Sequence, residues 1–308
     1  PGLARSAHRR AERRRTMTRG GAGNQKGIAL LIVLAALSGI SLAAILAAGN
    51  SARILGETMV VRDNVIARQA EMAALDMFGA RLSLPAGASG FRLNLGRASV
   101  DVQVKSEAGK LDLNLADEAT LARFFSAILG DPDRGVRMAA AVADWRDADG
   151  LTRLNGAEAD DYRALGRSQG PMNGPFESVQ DLISVLGVDD PLFLCVRPFM
   201  SVHAGAQIPD ARFAASTVLR ALGLTAQQTP DSASVIGALG ARSGDVYELT
   251  TIIAVRGERP KPAIAYVVRA LGNPRQPLAI LDRQPAGDWE RQSRDGCATL
   301  GGQERGSP

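Results

Sequence analysis

The chain has few of the residues that carry out catalysis or hold transition metals, with two histidines and two cysteines among 308 residues. Two distant cysteines without a CxxC pair cannot form a zinc site by themselves. Neither an HExxH nor a P-loop pattern occurs in the sequence. His8 lies near the amino terminus and His203 stands alone beside Ser201. These absences argue against an enzyme and favour a structural or binding role.

Excess positive charge is concentrated at the amino terminus. The formal net charge is +4, which by itself suggests a nucleic-acid or anionic-membrane partner. Much of that excess lies within the first 26 residues, so the remaining body is close to balanced. The charge distribution therefore predicts no nucleic-acid partner for the body of the protein.

A long uncharged run follows the basic segment. No charged residue occurs between Lys26 and Arg53, and Ile28–Gly49 is mostly apolar. At a rise of 1.5 Å per residue, these roughly 22 residues would span a hydrocarbon core of about 30 Å. The preceding flank holds no acid after Glu12. That asymmetry predicts a single-pass membrane protein with a cytoplasmic amino terminus and a periplasmic head.

The helical pattern continues beyond the membrane run. Large apolar residues recur near one helical face at Ile54, Val61, Val65, Met72, Leu75, Phe78 and Leu82. We therefore expect a transmembrane helix over residues 28–49 and its amphipathic continuation over residues 50–82. The length argues against an ordinary secretory signal, although small residues near Ala48 leave that alternative open.

The junction before the apolar run resembles the processing site of type IV pilins and pseudopilins. Those proteins carry a short basic leader that ends in glycine, and here Gly27 precedes Ile28. The resemblance implies a leader over residues 1–27 that a prepilin peptidase removes, with Met17 as the expected start of translation. Most pilins have a glutamate at the fifth mature position, where this chain has Ile32. K-type minor pseudopilins lack that acid, which the resemblance attributes to their place at the filament tip.

Strand and helix patterns alternate after the long helix, which predicts an α+β head. Period-two alternation predicts the first strands within residues 83–115, including a hairpin at Gly96, and further strands within residues 226–285. Helical spacing and capping residues between them predict an all-helical domain over residues 116–225. The polar, glycine-rich residues 286–308 are expected to form a disordered tail. The helices expected in the helical domain cover residues 120–129, 136–145, 157–165, 178–186 and 216–222.

Several short segments of the head resemble the K-type minor pseudopilins of type II secretion systems. They are Gly109–Asn114, Asp144–Asp149, Asn155–Glu158 followed by Tyr162, Asn173–Phe176 and Asp181–Leu182. The resemblance extends from Gly27 to about Asp282 and implies a pilin-like antiparallel sheet interrupted by a helical domain. It also implies a structural role at the tip of the pseudopilus, together with I- and J-type minor pseudopilins and the major pseudopilin, in the inner membrane.

An acidic loop interrupts the predicted helices. Its carboxylates are those of Asp147, Asp149, Glu158, Asp160 and Asp161. Hard carboxylate oxygens suit Ca²⁺, but the spacing excludes an EF-hand, since Trp145 and Gly156 would fall at ligand positions. The residues alone favour a solvated acidic loop over a metal site. The resemblance implies a calcium site here, because K-type pseudopilins bind calcium in the helical domain, although Ala159 stands where that family often has an acid.

The pairing of Cys195 and Cys297 stays open at this point. In an oxidising compartment the two could form a disulfide. Alternatively, Cys195 is a buried apolar residue and Cys297 a free thiol in the tail.

Two alternative functions share part of the pattern. Asp181–Val188 resembles the core of a helix-hairpin-helix DNA-binding module, but the adjacent Asp189 and Asp190 would repel phosphate. A minor pilin of a type IV pilus or a DNA-uptake machine would share the leader and the long helix. The predicted helical domain and Ile32 favour a secretion pseudopilin over such a pilin.

Overall fold

A computed structural model describes residues 25–82, 90–225, 242–258, 260–287 and 289–303. Contacts divide the chain after Arg62 into an amino-terminal unit and a second unit that begins at Asp63. The described helices are α1 (Gln25–Arg81), α2 (Glu118–Leu129), α3 (Pro132–Arg146), α4 (Ala159–Ala164), α5 (Asp190–Val196), α6 (Ser216–Leu222) and α7 (Trp289–Gln303). The described strands are β1 (Phe91–Leu95), β2 (Ala98–Ser106), β3 (Leu111–Asp112), β4 (Met200–Ser201), β5 (Val246–Val255), β6 (Ile264–Asn273) and β7 (Gln276–Pro285).

Helix α1 presents a mostly small-residue face to the sheet in the second unit. Its buried apolar residues there are Ala67, Ala70, Ala74, Leu75 and Phe78, at successive spacings of three, four, one and three, which place them on one helical face. The sequence pattern placed Val65 and Met72 on the same face as Leu75, and this is wrong because both side chains are more than half exposed. A pattern based on large apolar residues alone places part of this face wrongly, since alanines form most of the contact.

Five strands form one antiparallel sheet in the order β1-β2-β5-β6-β7. The predicted hairpin joins β1 to β2, and Gly96 has a φ of +60°, a left-handed conformation that glycine adopts without steric cost. Strand β2 then pairs with β5, which follows it only after the whole helical region. The sheet is therefore assembled from both ends of the head, as the sequence pattern predicts.

The sheet packs on α1 through alternate residues of its central strands. Val100 of β2, Leu249 and Ile253 of β5 and Val268 of β6 are almost completely buried on that face. The Phe78 ring meets the Tyr247 ring edge to face, with centroids 5.7 Å apart. Because side chains alternate across a strand, the intervening residues of β5 face away from α1.

The helical region between β2 and β5 has its own apolar core. Helix α2 begins after its N-cap Asp117, whose carboxylate accepts a hydrogen bond from the Thr120 backbone N–H, and ends at Gly130 in the left-handed conformation. The expected break after Gly130 is short, because Pro132 is the first residue of α3. Proline is well suited to that position, where its missing N–H would have no helical partner.

Other helices of this region are shorter than the pattern predicts. Residues 157–165 form only the six-residue α4, and residues 178–186 contain a 3₁₀-helix, Val179–Ser184, in place of an α-helix. Helix α5 is missing from the sequence-based prediction. The expected strand at residues 109–115 is reduced to β3, which pairs in parallel with β4 in a separate two-stranded sheet.

The expectation of a disordered tail over residues 286–308 is wrong for its central part. Helix α7 covers Trp289–Gln303, and Cys297 in it forms a disulfide with Cys195 in α5. A Cβ atom at Gly296 would lie 2.6 Å from the Pro191 carbonyl oxygen, so this glycine allows the close approach of the two helices. Glycine in this segment suggested disorder, but Gly296 instead allows close helix packing. Residues 304–308 lie outside the described residues.

Candidate functional sites: the apolar helix and the acidic loop

The amino-terminal unit contains a helix that is long and apolar enough to cross a membrane. It covers Ile28–Ala48, 21 residues with no acidic or basic side chain, none of them buried by other parts of the chain. The Ser38 hydroxyl donates to the Leu34 carbonyl at 2.8 Å, so its polar group has a partner within the helix. This arrangement suits hydrocarbon, where every polar group needs an internal partner.

The residues expected to take part in processing lie at the start of α1. Gly27 and Ile28 belong to the first turns of the helix, and Ile28 and Ile32 are both exposed. Residues 1–24 of the expected leader, including Met17, lie outside the described residues. Ile32 is therefore not covered by any other described part of the chain.

The acidic loop is organised around a buried carboxylate that the sequence analysis did not select. Asp144, near the end of α3, has no exposed surface. Its Oδ1 accepts a hydrogen bond of 2.8 Å from Arg153 Nη1, and its Oδ2 accepts one of 3.2 Å from the Arg153 backbone N–H. Asp144 belongs to the family-like motif Asp144–Asp149, which was the available signal for its importance.

Two of the predicted ligands lie close to Asp144. Asp147 accepts a hydrogen bond from Arg153 through Oδ2, whereas its Oδ1 is buried without a partner among the described residues. Glu158 is 5% exposed, and its Oε1 likewise lacks a partner within the described chain. Burial, followed by the charges of Asp144 and Asp147, raises the pKa of Glu158. The carboxylates are therefore near enough to repel one another.

The other three predicted ligands have different roles. The Asp149 carboxylate accepts from the Leu151 N–H at 2.9 Å, which shapes the turn. Asp160 is exposed and pairs with Arg163, while Asp161 accepts from the Glu158 N–H at 2.8 Å at the start of α4. In the described part of the chain, no three Asp, Glu, His or Cys side chains are grouped so that they could hold a metal ion. The five carboxylates are thus not brought together as one ligand set.

The family-like motifs of the head are joined by polar contacts. Asn114 forms two hydrogen bonds with the Phe176 backbone, at 2.8 and 3.0 Å, which link the β3 turn to the Asn173–Phe176 segment. Arg146 donates to the carbonyl oxygens of Leu113 and Ala116. These side chains satisfy the backbone of turns that lack regular hydrogen bonding. The motifs thus hold in place the loops next to the acidic loop.

The carboxylate of Asp112 also satisfies backbone groups that lack regular hydrogen bonding. It is 2% exposed and accepts three backbone N–H bonds, from Asn114 at 2.9 Å, Leu115 at 3.2 Å and Gly205 at 2.8 Å. Such bonds offset the cost of burying a charge. Asp112 therefore ties the start of the helical region to the loop that leaves it.

A groove of about 520 Å³ lies between the outer face of the sheet and the helical region. Lys110 is largely buried in its wall and contacts Glu107 and Glu248, each at 2.6 Å. Burial lowers the pKa of Lys110, but the two carboxylates outweigh it and raise the pKa overall. The ion triad is internally satisfied and links β5 to the segment after β2, so its role is structural.

One short pattern in the sequence has the spacing of a hydrolase nucleophile motif. Gly166–Gly170 reads GRSQG, a GxSxG match. In the nucleophile elbow of hydrolases that motif joins a strand to a helix. Here it follows α4 in an irregular loop, with no strand before it. The context needed for a catalytic serine is therefore missing in this part of the described chain.

Comparisons with known proteins bear on the whole head. A sequence model of type II secretion system protein K matches residues 92–205. Type II secretion system protein K of Klebsiella pneumoniae is 26% identical over 206 residues, which cover 58% of this chain and 63% of that protein. The protein of the same name from Pectobacterium carotovorum subsp. carotovorum is 37% identical over 70 residues, covering 23% of this chain and 21% of the relative. The chain thus spans less than two thirds of the length of these curated relatives.

A solved structure has the same fold. The GspK-GspI-GspJ complex from the enterotoxigenic Escherichia coli type 2 secretion system contains a chain that matches with a TM-score of 0.57 at 17% identity. The match covers 76% of this chain and 99% of that chain. At this identity the likeness establishes the fold: a sheet head with a helical region inserted between its strands.

Proposed function

We propose that this chain, whose residues 92–205 match the sequence model of type II secretion system protein K, is a minor pseudopilin at the tip of a secretion pseudopilus. The observation that carries the proposal is the combination of the uncharged Ile28–Ala48 helix with a head that contains the family's helical region. Its role is structural: it nucleates and caps the filament that moves folded proteins across the outer membrane. No reaction is assigned to it.

The proposed topology has the amino terminus in the cytoplasm, the Ile28–Ala48 helix in the inner membrane and the head in the periplasm. The basic residues before Ile28 support this orientation. The Cys195–Cys297 disulfide supports it independently, because structural disulfides persist in oxidising compartments such as the periplasm. Prepilin peptidase would cut between Gly27 and Ile28.

The tip position follows from the side chain at residue 32. In a filament interior, a glutamate at the fifth mature position neutralises the amino terminus of a neighbouring subunit, and an unpaired charge in an apolar bundle costs several kcal/mol. Ile32 cannot provide that charge, so this subunit suits a place with no subunit above it. The proposed partners are I- and J-type minor pseudopilins beside it and the major pseudopilin below.

We also propose that the acidic loop binds Ca²⁺. The support is the pair of buried oxygens, Asp147 Oδ1 and Glu158 Oε1, that have no hydrogen-bond donor in the described chain, next to the fully buried Asp144. Carboxylate oxygens are the ligands that Ca²⁺ prefers. The ion would supply positive charge to Asp144, Asp147 and Glu158 and would join the end of α3 to the start of α4.

Processing in membranes tests the pseudopilin proposal. The mass and amino-terminal sequence of the membrane-bound chain are measured with and without active prepilin peptidase. We expect a mature chain beginning at Ile28 only with the active enzyme, and no cleavage of a Gly27→Val variant. Processing near Ala48, or independent of the peptidase, would make this an ordinary secreted or anchored protein.

Complex formation separates the two kinds of filament. The mature chain is co-expressed in membranes with the I- and J-type minor pseudopilins of the same cell, and separately with minor pilins of a type IV pilus. We expect a ternary complex with the I- and J-type proteins. Assembly with the pilus proteins alone would instead identify a minor pilin.

A further inference from the structure

Large apolar side chains are exposed along one flank of α1, on the part of the helix that packs against the sheet. Val65 and Met72 are each more than half exposed. They lie seven residues apart, and Gly79 follows Met72 after seven more. Because seven residues make nearly two helical turns, the three positions share one stripe of the helix surface. This α1 stripe, defined as Val65, Met72 and Gly79, runs beside the alanine face that covers the sheet.

The α1 stripe lies on the side of the helix that is nearest to β7. A Cβ atom at Gly79 would lie 2.6 Å from Cγ of Pro277, which belongs to β7. One residue before Met72, a carboxylate oxygen of Glu71 lies 3.6 Å from Nη2 of Arg283, also in β7. The two contacts place this flank of α1 along the edge strand of the sheet.

The edge strand β7 has an apolar side chain that α1 does not cover. Ile280 pairs with Val268 of β6, whose side chain is completely buried in the core that α1 forms with the sheet. Directly paired residues point to the same side of a sheet, so Ile280 is on the side that carries α1. It is nevertheless more than half exposed. The α1 stripe and Ile280 therefore border an open cleft between the helix and the sheet edge, called the α1–β7 cleft here.

The spacing of the apolar residues fits a helix better than a strand as the occupant of this cleft. Apolar residues at intervals of seven form the seam of two helices that pack nearly parallel, with axes about 8 to 10 Å apart. A helix at that distance from α1 would contact Val65 and Met72 on one side and Ile280 on the other. A strand added to β7 would bind its backbone edge and leave the α1 stripe uncovered.

Two charged residues of α1 define which helix would be complementary. Arg68 and Asp76 are both exposed and lie on either side of Met72 in the sequence. They are eight residues apart, which is roughly 12 Å along the helix. A helix that runs parallel to α1 would match them with an acidic residue followed about eight positions later by a basic one. The cleft thus fits an amphipathic helix with an apolar seam and this order of charges.

We propose that the α1–β7 cleft binds the long amphipathic helix of one neighbouring subunit in the tip complex. This inference rests on the proposed function and adds the surface on which that subunit is held. The partner helix lies parallel to α1, with its apolar seam on Val65, Met72 and Ile280 and its acidic residue beside Arg68. The flank of α1 that faces β1 takes no part in this contact.

Site-specific photocross-linking tests the surface on the full chain, co-expressed in membranes with the I- and J-type minor pseudopilins. The photoreactive residue p-benzoylphenylalanine replaces Met72 or Ile280. The matched control replaces Met77, an exposed methionine on the opposite flank of α1. Met77 precedes Arg81 by one helical turn, and the Arg81 guanidinium lies 4.7 Å from the ring centroid of Phe91 in β1.

We expect light-dependent adducts from positions 72 and 280 that map to the long helix of the I- or the J-type protein, and none from position 77. Adducts from 72 and 280 that map to a globular head or to a second copy of this chain would overturn the inference. So would a complex that forms without any adduct from these two positions.

Charge substitutions measure the same surface by the recovery of the ternary complex. Met72→Glu and Ile280→Glu should each lower recovery at least about tenfold, because the new carboxylate would be buried without a partner. Arg68→Glu should lower it by a smaller factor, and Met77→Glu should leave it as in the parent. All four positions are exposed in the chain itself, so the melting temperatures should stay at the parent value.

Equal recovery for Met72→Glu and Met77→Glu would overturn the inference and leave the pseudopilin proposal standing. Failure of the parent to form any complex with the I- and J-type proteins would contradict the pseudopilin proposal itself.

Discussion

The two cores of the head are built in different ways. The sheet layer, defined here as the five-stranded sheet with the Asp63–Arg81 part of α1, buries alanine, valine, leucine and isoleucine together with three aromatic rings, those of Phe78, Tyr247 and Tyr266. The helical region from α2 to α6, together with α7, buries more aromatic rings, among them Phe124, Phe125, Trp145, Tyr162 and Phe176. It also contains the disulfide and the buried carboxylates of Asp144 and Glu158, with that of Asp112 just before α2, whereas the sheet layer buries the carboxylates of Asp63 and Glu71 on α1.

The difference reflects how each layer obtains its backbone hydrogen bonds. Strand ladders satisfy most backbone groups of the sheet layer, so few of its side chains are needed as partners for the backbone. Long irregular segments connect the short helices of the helical region, and their backbone groups depend on side chains such as Asp112, Asn114 and Arg146. The helical region is therefore expected to depend more on individual polar and covalent links than the sheet layer does.

The largest effect is expected from removal of the disulfide. A Cys195→Ala/Cys297→Ala variant loses a bridge between residues 102 positions apart, and a loop of that length corresponds to about 4 to 5 kcal/mol of unfolding free energy in the chain-entropy description. Hydrogen exchange should show early opening of α7 and α5, with amides of β5 and β6 protected much longer. Simultaneous loss of protection in both layers would contradict the comparison, because it would make them one cooperative unit.

The next effect concerns the apolar core of the sheet layer. Phe78→Ala removes a ring that has no exposed surface and contacts Tyr247, and we expect a loss of about 3 to 4 kcal/mol. Phe125→Ala in α2 is the matched substitution, because Phe125 is also completely buried. Exchange of β5 and β6 amides should accelerate in Phe78→Ala, and that of α2 and α3 amides in Phe125→Ala. Identical exchange patterns in the two variants would again indicate that the two layers unfold as one cooperative unit.

Removal of one tyrosine hydroxyl from each layer compares the strength of their polar links. Tyr162 is fully buried and its hydroxyl oxygen accepts a hydrogen bond of 2.8 Å from the Leu186 N–H. Tyr162→Phe leaves that amide without its partner, and we expect a loss of about 1 to 2 kcal/mol. Tyr247→Phe in β5 should cost less, since Asp245, which accepts from the Tyr247 hydroxyl at 3.2 Å, is partly exposed and keeps the Arg242 N–H as a donor. Denaturant unfolding of both variants measures the difference; a larger loss in Tyr247→Phe would reverse the comparison.

The sheet layer could largely be predicted from the sequence because its signals are local. The alternating valines of β2, the β-branched and aromatic residues of β5 and the turn at Gly96 act within a few positions of themselves, and so do the caps of α2 and α6 in the helical region, Asp117 and Gly223. The predicted strands are confirmed except at residues 109–115, which form only β3, and α2 and α6 are confirmed. The contact face of α1 was predicted correctly at Leu75 and Phe78 but wrongly at Val65 and Met72, because alanines carry little weight in a hydrophobic pattern although they decide how closely a helix approaches a sheet.

The acidic loop and the tail depend on distant partners and therefore could not be predicted. Nothing near Asp144 indicates that Arg153 will bind it, and the bond of Asp112 to the Gly205 N–H joins residues far apart in the chain. Helix α7 is polar and rich in glycine, and its order depends on α5 and the Cys195 bridge. Calcium binding stays a prediction, since no three candidate ligands are grouped in the described chain.

The smallest expected effect concerns a local cap in the helical region. Asp117→Ala removes the carboxylate that accepts from the Thr120 N–H at 2.6 Å, with an expected loss of about 1 kcal/mol, and Asp117→Asn should retain most of the cap. The interaction with Thr120 lowers the pKa of Asp117 in the folded protein. Its charge-dependent stabilisation is therefore complete above the ordinary carboxyl pKa, near 4, and is lost as the pH falls through the lower folded value. Urea unfolding between about pH 6 and pH 3 should show the advantage of the parent over Asp117→Asn shrinking toward acid. An advantage that grows toward acid would show that the cap does not act through the ionised carboxylate.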